Sequence, residues 1–472
     1  MLSIFLALGI EITVVDKATG KPVPCRIHLK DAAGKPVKAD PLPFWRDHFV
    51  CPGTVKLDLA PGKYAYEVER GPEWSQAKGE FDAGAGAVRI DIARIADLRA
   101  RGWWPGDLHI HRALEEAELH TAAEDLSVAP VITWWNNRNL WANRELPAEP
   151  LRRLEGDRLV RGLEGEDERE GGALLYFNLR KPLAIQGAKR EVPSPMRFLL
   201  EARAQEGVHV DIEKPFWWDV PIWLASGKVD TIGIANNHMC RSQMLESEAW
   251  GRPRDVARLP APRGNGWWTQ EIYYHALDAG LRVPPSAGSA SGVLPNPVGY
   301  NRAYVHLEGG LGWDRWWEGL RAGRSFVTNG PLLLATAGGK LPGHVFKEAG
   351  EIDVRAELLG RESVPKLEIV RDGRVVGTAP GKLSFAESGW FLVRAVAENE
   401  KTFRFASTAP WFVEIGGKPR VSRASAKFFL DWVDERVKRV KVDNPDERQA
   451  VLEHHEAARR FWQSRLDQAS SE

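Results

Sequence analysis

The chain has 472 residues, of which 43% are hydrophobic, so it is long enough for several folded domains and is neither disordered nor fibrous. Its 64 lysines and arginines balance 64 aspartates and glutamates, and the formal net charge is therefore zero. Because nucleic-acid binding requires a basic surface, no nucleic-acid partner is expected.

The first nine residues, MLSIFLALG, have the apolar character of a secretory signal, but they lack a positive n-region and a small-residue cleavage site. The apolar character favours a periplasmic or secreted protein. The missing features leave the alternative of a cytoplasmic protein whose first strand starts here. No stretch reaches the ~18 apolar residues of a membrane-spanning helix, so no membrane span is expected.

Residues 10–95 carry short alternating runs, such as IEITVVD and TVKLDL, separated by turns rich in Gly, Pro and Asp. This pattern predicts a small antiparallel β-sandwich over residues 1–98. The run ATGKPVPCRIHLKDAAGKPV resembles transthyretin-like and carboxypeptidase-regulatory-like β domains. The three cysteines exclude a disulfide framework and a CxxC zinc knuckle, and they leave at most one bridge, Cys25–Cys51.

From about residue 100 to 330, apolar strands that end at polar or aromatic residues alternate with helical stretches. Six strand ends follow this pattern: GDLHIH (106–111), APVITWWNN (129–137), RGLEGEDE (161–168), VHVDIEKP (208–215), DTIGIANNH (230–238) and VPPSAGSAS (283–291). The repeated alternation predicts a parallel β/α barrel over residues 99–330, with the active site at the carboxyl ends of its strands.

The rest of the chain predicts a second β-sandwich over residues 331–418, with a hairpin turn at Asp372-Gly373, and helices over residues 419–472. Asn444 is placed to cap the last of these helices. The expected fold is a multidomain α/β plus β protein: a distorted parallel β/α barrel flanked by two small antiparallel β-sandwiches and a C-terminal helical tail.

Tryptophan is unusually frequent, with 20 residues, and ten of them form the adjacent pairs Trp103-Trp104, Trp134-Trp135, Trp217-Trp218, Trp267-Trp268 and Trp316-Trp317. Neighbouring strand residues point to opposite faces, so a pair at a strand end can place one ring in the core and the other over a pocket. Trp135, Trp217 and Trp218 are therefore candidate substrate-binding residues. The alternative is that the pairs only fill cores.

The strongest chemical signal is GDLHIH, because histidines two apart on a strand face one side and can reach one metal ion. Two other segments accompany it: Gly165-Glu166-Asp167 followed by GGALLYFNL, and NPVGYNRAYV…LRAGRSFVTNGP. Together these segments resemble the polymerase and histidinol phosphatase (PHP) superfamily, in particular its carbaryl-hydrolase-like CehA/McbA branch. The resemblance covers about residues 100–332. It implies a distorted barrel whose two or three divalent ions activate water to hydrolyse phosphoesters, carboxyl esters or carbamates.

In this resemblance the two metal-binding histidines correspond to His109 and His111, and a bridging glutamate corresponds to Glu166, with Glu164 as the second choice. Other ligand positions depart from the family: Trp134-Trp135 replace an Asp-His, Lys214 replaces the His of a His-Pro, and Ser289-Ala290-Ser291-Gly292 replace a serine followed by Asp-x-His. A full trinuclear centre is therefore not expected.

A single divalent ion, zinc above all or else manganese or iron, can still be held by His109, His111, Glu166 and one more histidine. We infer His238 for that ligand because it follows the apolar strand TIGIANN; the alternative is a helix-capping or buried neutral imidazole. Cys240 is expected to be buried filler.

Glu213 and Asp211 lie two apart on the predicted fourth strand and face one way, so both are candidates for the site. Glu213 is expected to take the proton of the attacking water. Lys214 or Arg241 is expected to stabilise the developing oxyanion.

The small residues SAGSASG (286–292) lie between prolines, which excludes the strand–GxSxG–helix nucleophile elbow. They are expected to leave room for substrate at Ser289, or to hold an anion on backbone amides. Arg302 matches a position common in the closing segment of the family and is a candidate for substrate binding; the alternative is an ion-paired rim residue.

These residues favour a metal-dependent hydrolase that acts on an ester, phosphoester or sugar-derived substrate through a metal-activated water. The alternative is a metal-poor pseudoenzyme that binds extracellular glycans through a Trp-lined barrel mouth, because several family ligands are replaced. The expected partner is a small molecule or glycan, and the sequence leaves the oligomeric state open.

Overall fold

A computed structural model of the chain describes residues 8–472. The signal-like prediction falls mainly on residues 1–7, which lie outside the described residues. The N-terminal strands are β1 (Leu8–Asp16), β2 (Cys25–Lys30), β3 (Phe44–Trp45), β4 (His48–Cys51), β5 (Thr54–Leu59), β6 (Lys63–Glu69), β7 (Ala77–Asp82) and β8 (Ala87–Ile92).

These strands form two sheets, in the orders β5-β1-β8 and β3-β4-β2-β6-β7, which enclose one hydrophobic core. In β5 the sequence TVKLDL alternates between exposed and buried residues, as expected for a strand with one face on a core. Strand β1 pairs parallel with β8, a departure from the predicted antiparallel arrangement. Cys25 and Cys51 face each other across β2 and β4, but both are buried free thiols, so the bridge that the sequence left open is not formed.

The central region contains sixteen elements. They are β9 (Trp103–Gly106), α1 (Ala117–Ala123), β10 (Val128–Trp135), β11 (Arg138–Asn139), β12 (Leu151–Leu154), β13 (Arg158–Arg169), β14 (Gly172–Phe177), α2 (Pro195–Arg203), β15 (His209–Ile212), α3 (Val220–Ser226), β16 (Thr231–Ala235), α4 (Gly264–Asp278), β17 (Pro285–Ala287), β18 (Arg302–His306), α5 (Trp313–Arg321) and β19 (Ser325–Thr328).

The central sheet combines parallel and antiparallel pairs. Strands β9–β10, β10–β13, β15–β16 and β16–β17 pair parallel, whereas β13–β14, β14–β15, β9–β18 and β18–β19 pair antiparallel. The all-parallel β/α alternation that the sequence predicted is therefore wrong at these antiparallel pairs. At β13–β14 the cause is the two-residue connection Glu170-Gly171, since parallel neighbours need a much longer crossover.

The segment after β9 inserts between β10 and β17. The Leu108 N–H donates to the Ala287 carbonyl over 3.0 Å, and Ile110 forms parallel bridges to both Val131 and Ser291. These pairings connect the two ends of the central sheet. They also bring the GDLHIH segment beside the carboxyl ends of β10 and β17.

The C-terminal strands are β20 (Leu332–Ala337), β21 (Val345–Phe346), β22 (Gly350–Leu359), β23 (Leu367–Arg371), β24 (Arg374–Thr378), β25 (Gly381–Phe385), β26 (Gly389–Val396), β27 (Phe405–Thr408) and β28 (Trp411–Val413). Strands β20, β22 and β25 form a separate sheet, while β27 pairs with β19 and so continues the central sheet. Asp372 and Gly373 form the expected tight hairpin between β23 and β24, both with positive φ.

Two helices close the chain, α6 (Arg423–Val437) and α7 (Pro445–Asp467), close to where the sequence predicts them. The Asn444 side chain accepts the N–H groups of Asp446 and Glu447, which confirms the predicted cap. Trp462 stacks on Phe429 of α6 at 4.5 Å between ring centroids and packs both helices onto the central region. No helix in the described part of the chain is long and apolar enough to cross a membrane.

Most of the tryptophan pairs belong to hydrophobic cores. Nine rings are almost completely buried: Trp134, Trp217, Trp223, Trp316, Trp317, Trp390, Trp411, Trp432 and Trp462. In the five sequence pairs only Trp135 and Trp267 are partly exposed. The core-filling interpretation is therefore correct for most of these rings, and an extended tryptophan wall is not formed.

Candidate metal centre

His109, His111 and Glu166 converge on one point at the end of the GDLHIH segment. The Nε2 atoms of the two imidazoles are 2.9 Å apart. The Glu166 carboxylate lies 3.5 Å from His109 Nε2 through Oε1 and 3.1 Å from His111 Nε2 through Oε2. One ligand atom from each residue therefore faces a common position, which is the arrangement that a divalent ion requires.

Asp107 explains why the histidines lie where they do. This fully buried carboxylate accepts the backbone N–H groups of His109 and Ser289 over 3.0 Å each, and that of Gly299 over 2.6 Å. The aspartate of GDLHIH thus ties the histidine strand to two distant loops. The small residues of SAGSASG serve the same packing, since a Cβ on Gly288 would lie 2.5 Å from the Cβ of His109.

Glu166 is brought to the site by the parallel register of β13 with β10, in which Glu166 lies beside Trp135. Only glycine fits at position 165, because the Trp134 ring fills the space that a Cβ atom there would occupy. Glu164, the second choice from the resemblance, instead pairs with Arg161 at 2.5 Å and accepts the Asn178 N–H. The structure therefore places Glu166, and not Glu164, beside the two histidines.

Glu213 follows β15 and is surrounded by donors. Its Oε1 lies 3.2 Å from His109 Nδ1 and accepts an Asn237 N–H over 2.6 Å, and its Oε2 accepts the Trp217 indole N–H over 3.1 Å. The Lys214 ammonium contacts both oxygens. A carboxylate that accepts from His109 Nδ1 fixes the tautomer in which Nε2 is free to bind a metal.

A second group of ligand atoms shares Glu166: carboxylate oxygens of Glu166, Glu168 and Glu213 lie within 4.8 Å of one another. Burial, together with the charges of Glu166 and Glu213, raises the pKa of Glu168 to about 8. Burial also raises the pKa of Glu213, but the Lys214 and His109 charges outweigh it and lower that pKa to about 2. Glu168 is thus the carboxylate of this group that is readily protonated near neutral pH.

The charge of these carboxylates also acts on the imidazoles. Burial alone lowers the pKa of His109, but the Glu166 and Glu213 carboxylates outweigh it and raise that pKa to about 10. For His111, burial prevails and the pKa falls below its usual value.

Asp211, the second carboxylate on the predicted fourth strand, accepts hydrogen bonds from the hydroxyl groups of Thr231 and Ser286, and burial raises its pKa to about 7.

His238 was predicted as the fourth ligand, but the structure does not bring it into either group of ligand atoms. Its ring packs 5.4 Å from the Phe216 ring, and burial and the Lys214 charge lower its pKa to about 3. His238 is thus a buried neutral histidine, which was the alternative to its prediction as a ligand. The residue that reaches the other side of His109 is Glu213.

Both arginines predicted for the site lie elsewhere. Arg241 pairs with Glu67 and Glu69 of the N-terminal sheet, so its guanidinium is not free for an oxyanion. Arg302 is almost completely buried and donates to the Gly299 and Glu124 carbonyls. Arg241 thus joins the central region to the N-terminal sheet, and Arg302 joins two loops within the central region. Their positions do not support the prediction that they act on substrate.

The positions of Ser289 and Trp218 also do not support their predicted roles in substrate binding. The Ser289 hydroxyl is buried and exchanges hydrogen bonds with the backbone of Asn301. Trp218 faces a different cleft, of about 870 Å³, where the Arg439 guanidinium lies 4.0 Å from its ring. Lys214 is near the histidines, but it is buried against Glu213 and the Trp217 ring.

Trp135 is the tryptophan that does lie at the site. Its half-buried ring and the His111 ring meet edge to face at 5.0 Å between centroids, and the Arg138 guanidinium lies 5.4 Å from its centre. Trp217 is also close, but it is buried and acts by holding Glu213. Trp135 and Glu168 are thus the partly exposed residues beside the histidines.

Sequence reasoning missed Glu168 and Asn237. Glu168 belongs to the charge run GEDERE, where its spacing of two from Glu166 on a strand indicates the same face. Asn237 precedes His238, which the sequence predicts as a ligand, and no pattern in the sequence marks Asn237 itself.

Comparison with known proteins finds no matching family model, curated protein or solved structure.

Proposed function

We propose that this chain is a metal-dependent hydrolase with a PHP-like barrel, acting on an ester, phosphoester or sugar-derived substrate. The observation that carries the proposal is the convergence of His109 Nε2, His111 Nε2 and Glu166, with His109 braced from behind by Glu213. A carboxylate behind a metal-binding imidazole is the usual support of such a ligand.

The residues present fit one divalent ion. Two imidazole nitrogens and one carboxylate form a three-ligand set, which leaves a coordination position open as in catalytic zinc sites. Zinc suits this set best, and manganese or iron are also compatible with nitrogen and oxygen donors. A divalent ion bound there supplies Lewis-acid chemistry, which polarises an ester or phosphoester group toward attack by water.

Glu168 is the residue we assign to proton transfer, in place of Glu213. Its carboxylate is half-buried at the edge of the site and lies within 4.8 Å of Glu166. Glu213 has its oxygens occupied by donors from four residues, so it holds His109 and is a poor base. Glu168 can accept a proton from water at one carboxylate oxygen and return it to the leaving group.

Trp135 supports the choice of substrate class. Its partly exposed ring stands against His111 and offers an apolar face beside the ligands. Aryl groups and sugar rings stack on such faces. The glycan-binding alternative requires a Trp-lined mouth, and the burial of most tryptophans gives it no support.

Export from the cytoplasm stays a prediction from the first nine residues.

The first experiment measures metal content by mass spectrometry on protein purified without a histidine tag. We expect about one equivalent of zinc, manganese or iron, which the His109→Ala/His111→Ala double variant loses. The same preparations are then assayed on aryl esters, phosphoesters and aryl glycosides. Absence of metal from the wild-type protein, or turnover that is equal in the double variant, contradicts the proposal.

A further inference from the structure

Three glutamates crowd the candidate metal centre, and one of them, Glu166, also contacts both histidines. Oxygens of Glu166, Glu168 and Glu213 lie within 4.8 Å of one another, and Glu166 also belongs to the histidine group. Glu166 and Glu213 are almost fully buried, at 3% and 4% exposure. Buried carboxylates this close require positive charge beside them, because the repulsion between buried charges is only weakly screened.

Lys214 supplies that charge. Its ammonium contacts both oxygens of Glu213, and its side chain is 3% exposed. The ammonium also lies 4.5 Å from the centre of the Trp217 ring, a cation–π contact that holds it in place. Trp217 in turn donates its indole N–H to Glu213, so the lysine, the ring and the carboxylate form one closed unit.

Glu213 has no capacity left for a metal ion. Its two oxygens together contact Lys214, Asn237, Trp217 and His109 Nδ1. A carboxylate offers about four lone-pair positions, and here these four residues use them. An ion between the three glutamates would have to displace the Lys214 ammonium, whose side chain is only 3% exposed.

We propose that Lys214 is a fixed cation that takes the place of a second metal ion, so that the centre holds one ion on His109, His111 and Glu166. This inference rests on the proposed function, because it assumes that the histidine group binds metal. It assigns Lys214 a positioning role: it neutralises Glu213, keeps that carboxylate on His109, and excludes metal from the glutamate group.

The test counts zinc ions per chain. The full-length protein is titrated with Zn²⁺ and its stoichiometry is read by native mass spectrometry. A His109→Ala/His111→Ala/Glu166→Ala variant, which lacks ligands of both groups, gives the number of surface sites to subtract. We expect one ion in the wild type. We expect two in Lys214→Met, which keeps the length of the side chain and removes its charge, and one in Lys214→Arg, the charge-preserving control.

The outcomes separate this inference from the proposed function. No specific zinc in the wild type contradicts the proposed function itself. Two ions in the wild type, or one in a folded Lys214→Met, overturn the fixed-cation role and leave the hydrolase proposal intact.

If Lys214→Met does not fold, as judged by circular dichroism, Glu168→Gln in the wild-type background decides. An unchanged single ion supports the inference, and loss of an ion from a total of two overturns it.

Discussion

Within residues 8–472, two clusters combine two histidines with a carboxylate, and they differ in how the charges around them are balanced. In the N-terminal sheets, the Nδ1 atoms of His28 and His48 lie 3.2 and 2.9 Å from the two oxygens of Asp47. The Arg26 guanidinium donates to His28 Nε2 over 3.1 Å. This cluster satisfies its own hydrogen bonds and has a permanent cation beside it.

In the central sheet the balance is reversed. His109 and His111 direct Nε2 atoms at each other, and three carboxylates stand nearby with one lysine. A divalent ion would relieve the excess negative charge there, whereas at His28 it would be repelled by Arg26. Ligand type and spacing alone do not define a metal site; the surrounding charge decides which cluster is available.

The largest expected effect comes from His109→Ala. We expect it to weaken zinc binding at least ~100-fold and to abolish any hydrolytic activity, since it removes one of three ligands. The matched variant, His48→Ala, should leave zinc affinity unchanged. Isothermal titration calorimetry measures both, and a similar loss in His48→Ala would mean that the N-terminal cluster is the metal site.

Glu213→Gln should weaken zinc binding by roughly 10–100-fold, because the carboxylate that orients His109 loses its charge while the shape is kept. Asp47→Asn makes the same change in the other cluster and should not alter zinc affinity. A competition assay with a coloured chelator gives both values. Unchanged affinity in Glu213→Gln would show that His109 needs no support from behind.

In protein without bound metal, a change of pH should alter the contributions of the two clusters to folding stability in opposite directions. Burial lowers the pKa of His28 to about 3 and that of His48 to about 4, so their contribution to stability is complete above pH 6.5 and is lost as the pH falls toward these values. We expect a loss of about 2 kcal/mol for each between pH 6.5 and 5. The raised pKa of His109 gives the converse: its contribution is complete below pH 6.5 and is lost as the pH rises through about 10.

Thermal unfolding of chelator-treated protein at several pH values measures these contributions. Replacing His28 and His48 together with glutamine should flatten the acid limb, and His109→Gln should flatten the alkaline limb. Parallel curves for all three proteins would contradict the assignment of these limbs to the histidines.

The smallest effect is expected at Trp135. Trp135→Ala should raise KM several-fold for an aryl substrate and leave kcat nearly unchanged, because the ring binds substrate and does not take part in proton transfer. Its sequence neighbour is the control: Trp134→Ala empties a fully buried position and should cost about 3–5 kcal/mol of folding stability. Steady-state kinetics and thermal unfolding distinguish the two tryptophans.

The parts of the candidate site that follow from local periodicity could be predicted from the sequence. His109 and His111 share a face because they are two apart on an extended segment, and Glu166 lies near the end of a strand that the sequence predicts. The arginines could not be predicted, because Arg241 meets its partners Glu67 and Glu69 across more than 170 residues of chain. Nothing near Arg241 in the sequence indicates that its charge is already used.

The fold shows the same division. Strand alternation, the Asp372-Gly373 turn and the Asn444 cap are local features, and each predicts its element correctly. Strand direction in the central sheet depends on which strands meet, and hydrophobic patterns do not encode that. The pair Gly171-Gly172 was the available signal for the β13–β14 hairpin.

The hydrogen bonds of Asp107 have a consequence for how the protein is made. This carboxylate joins the histidine segment to Ser289 and Gly299, which follow it by 182 and 192 residues. During synthesis, the histidines emerge from the ribosome long before the loops that hold their backbone in place. The histidines therefore assume their final arrangement only after residue 299 has been added, and an ion bound by them would enter late, after most of the chain has folded.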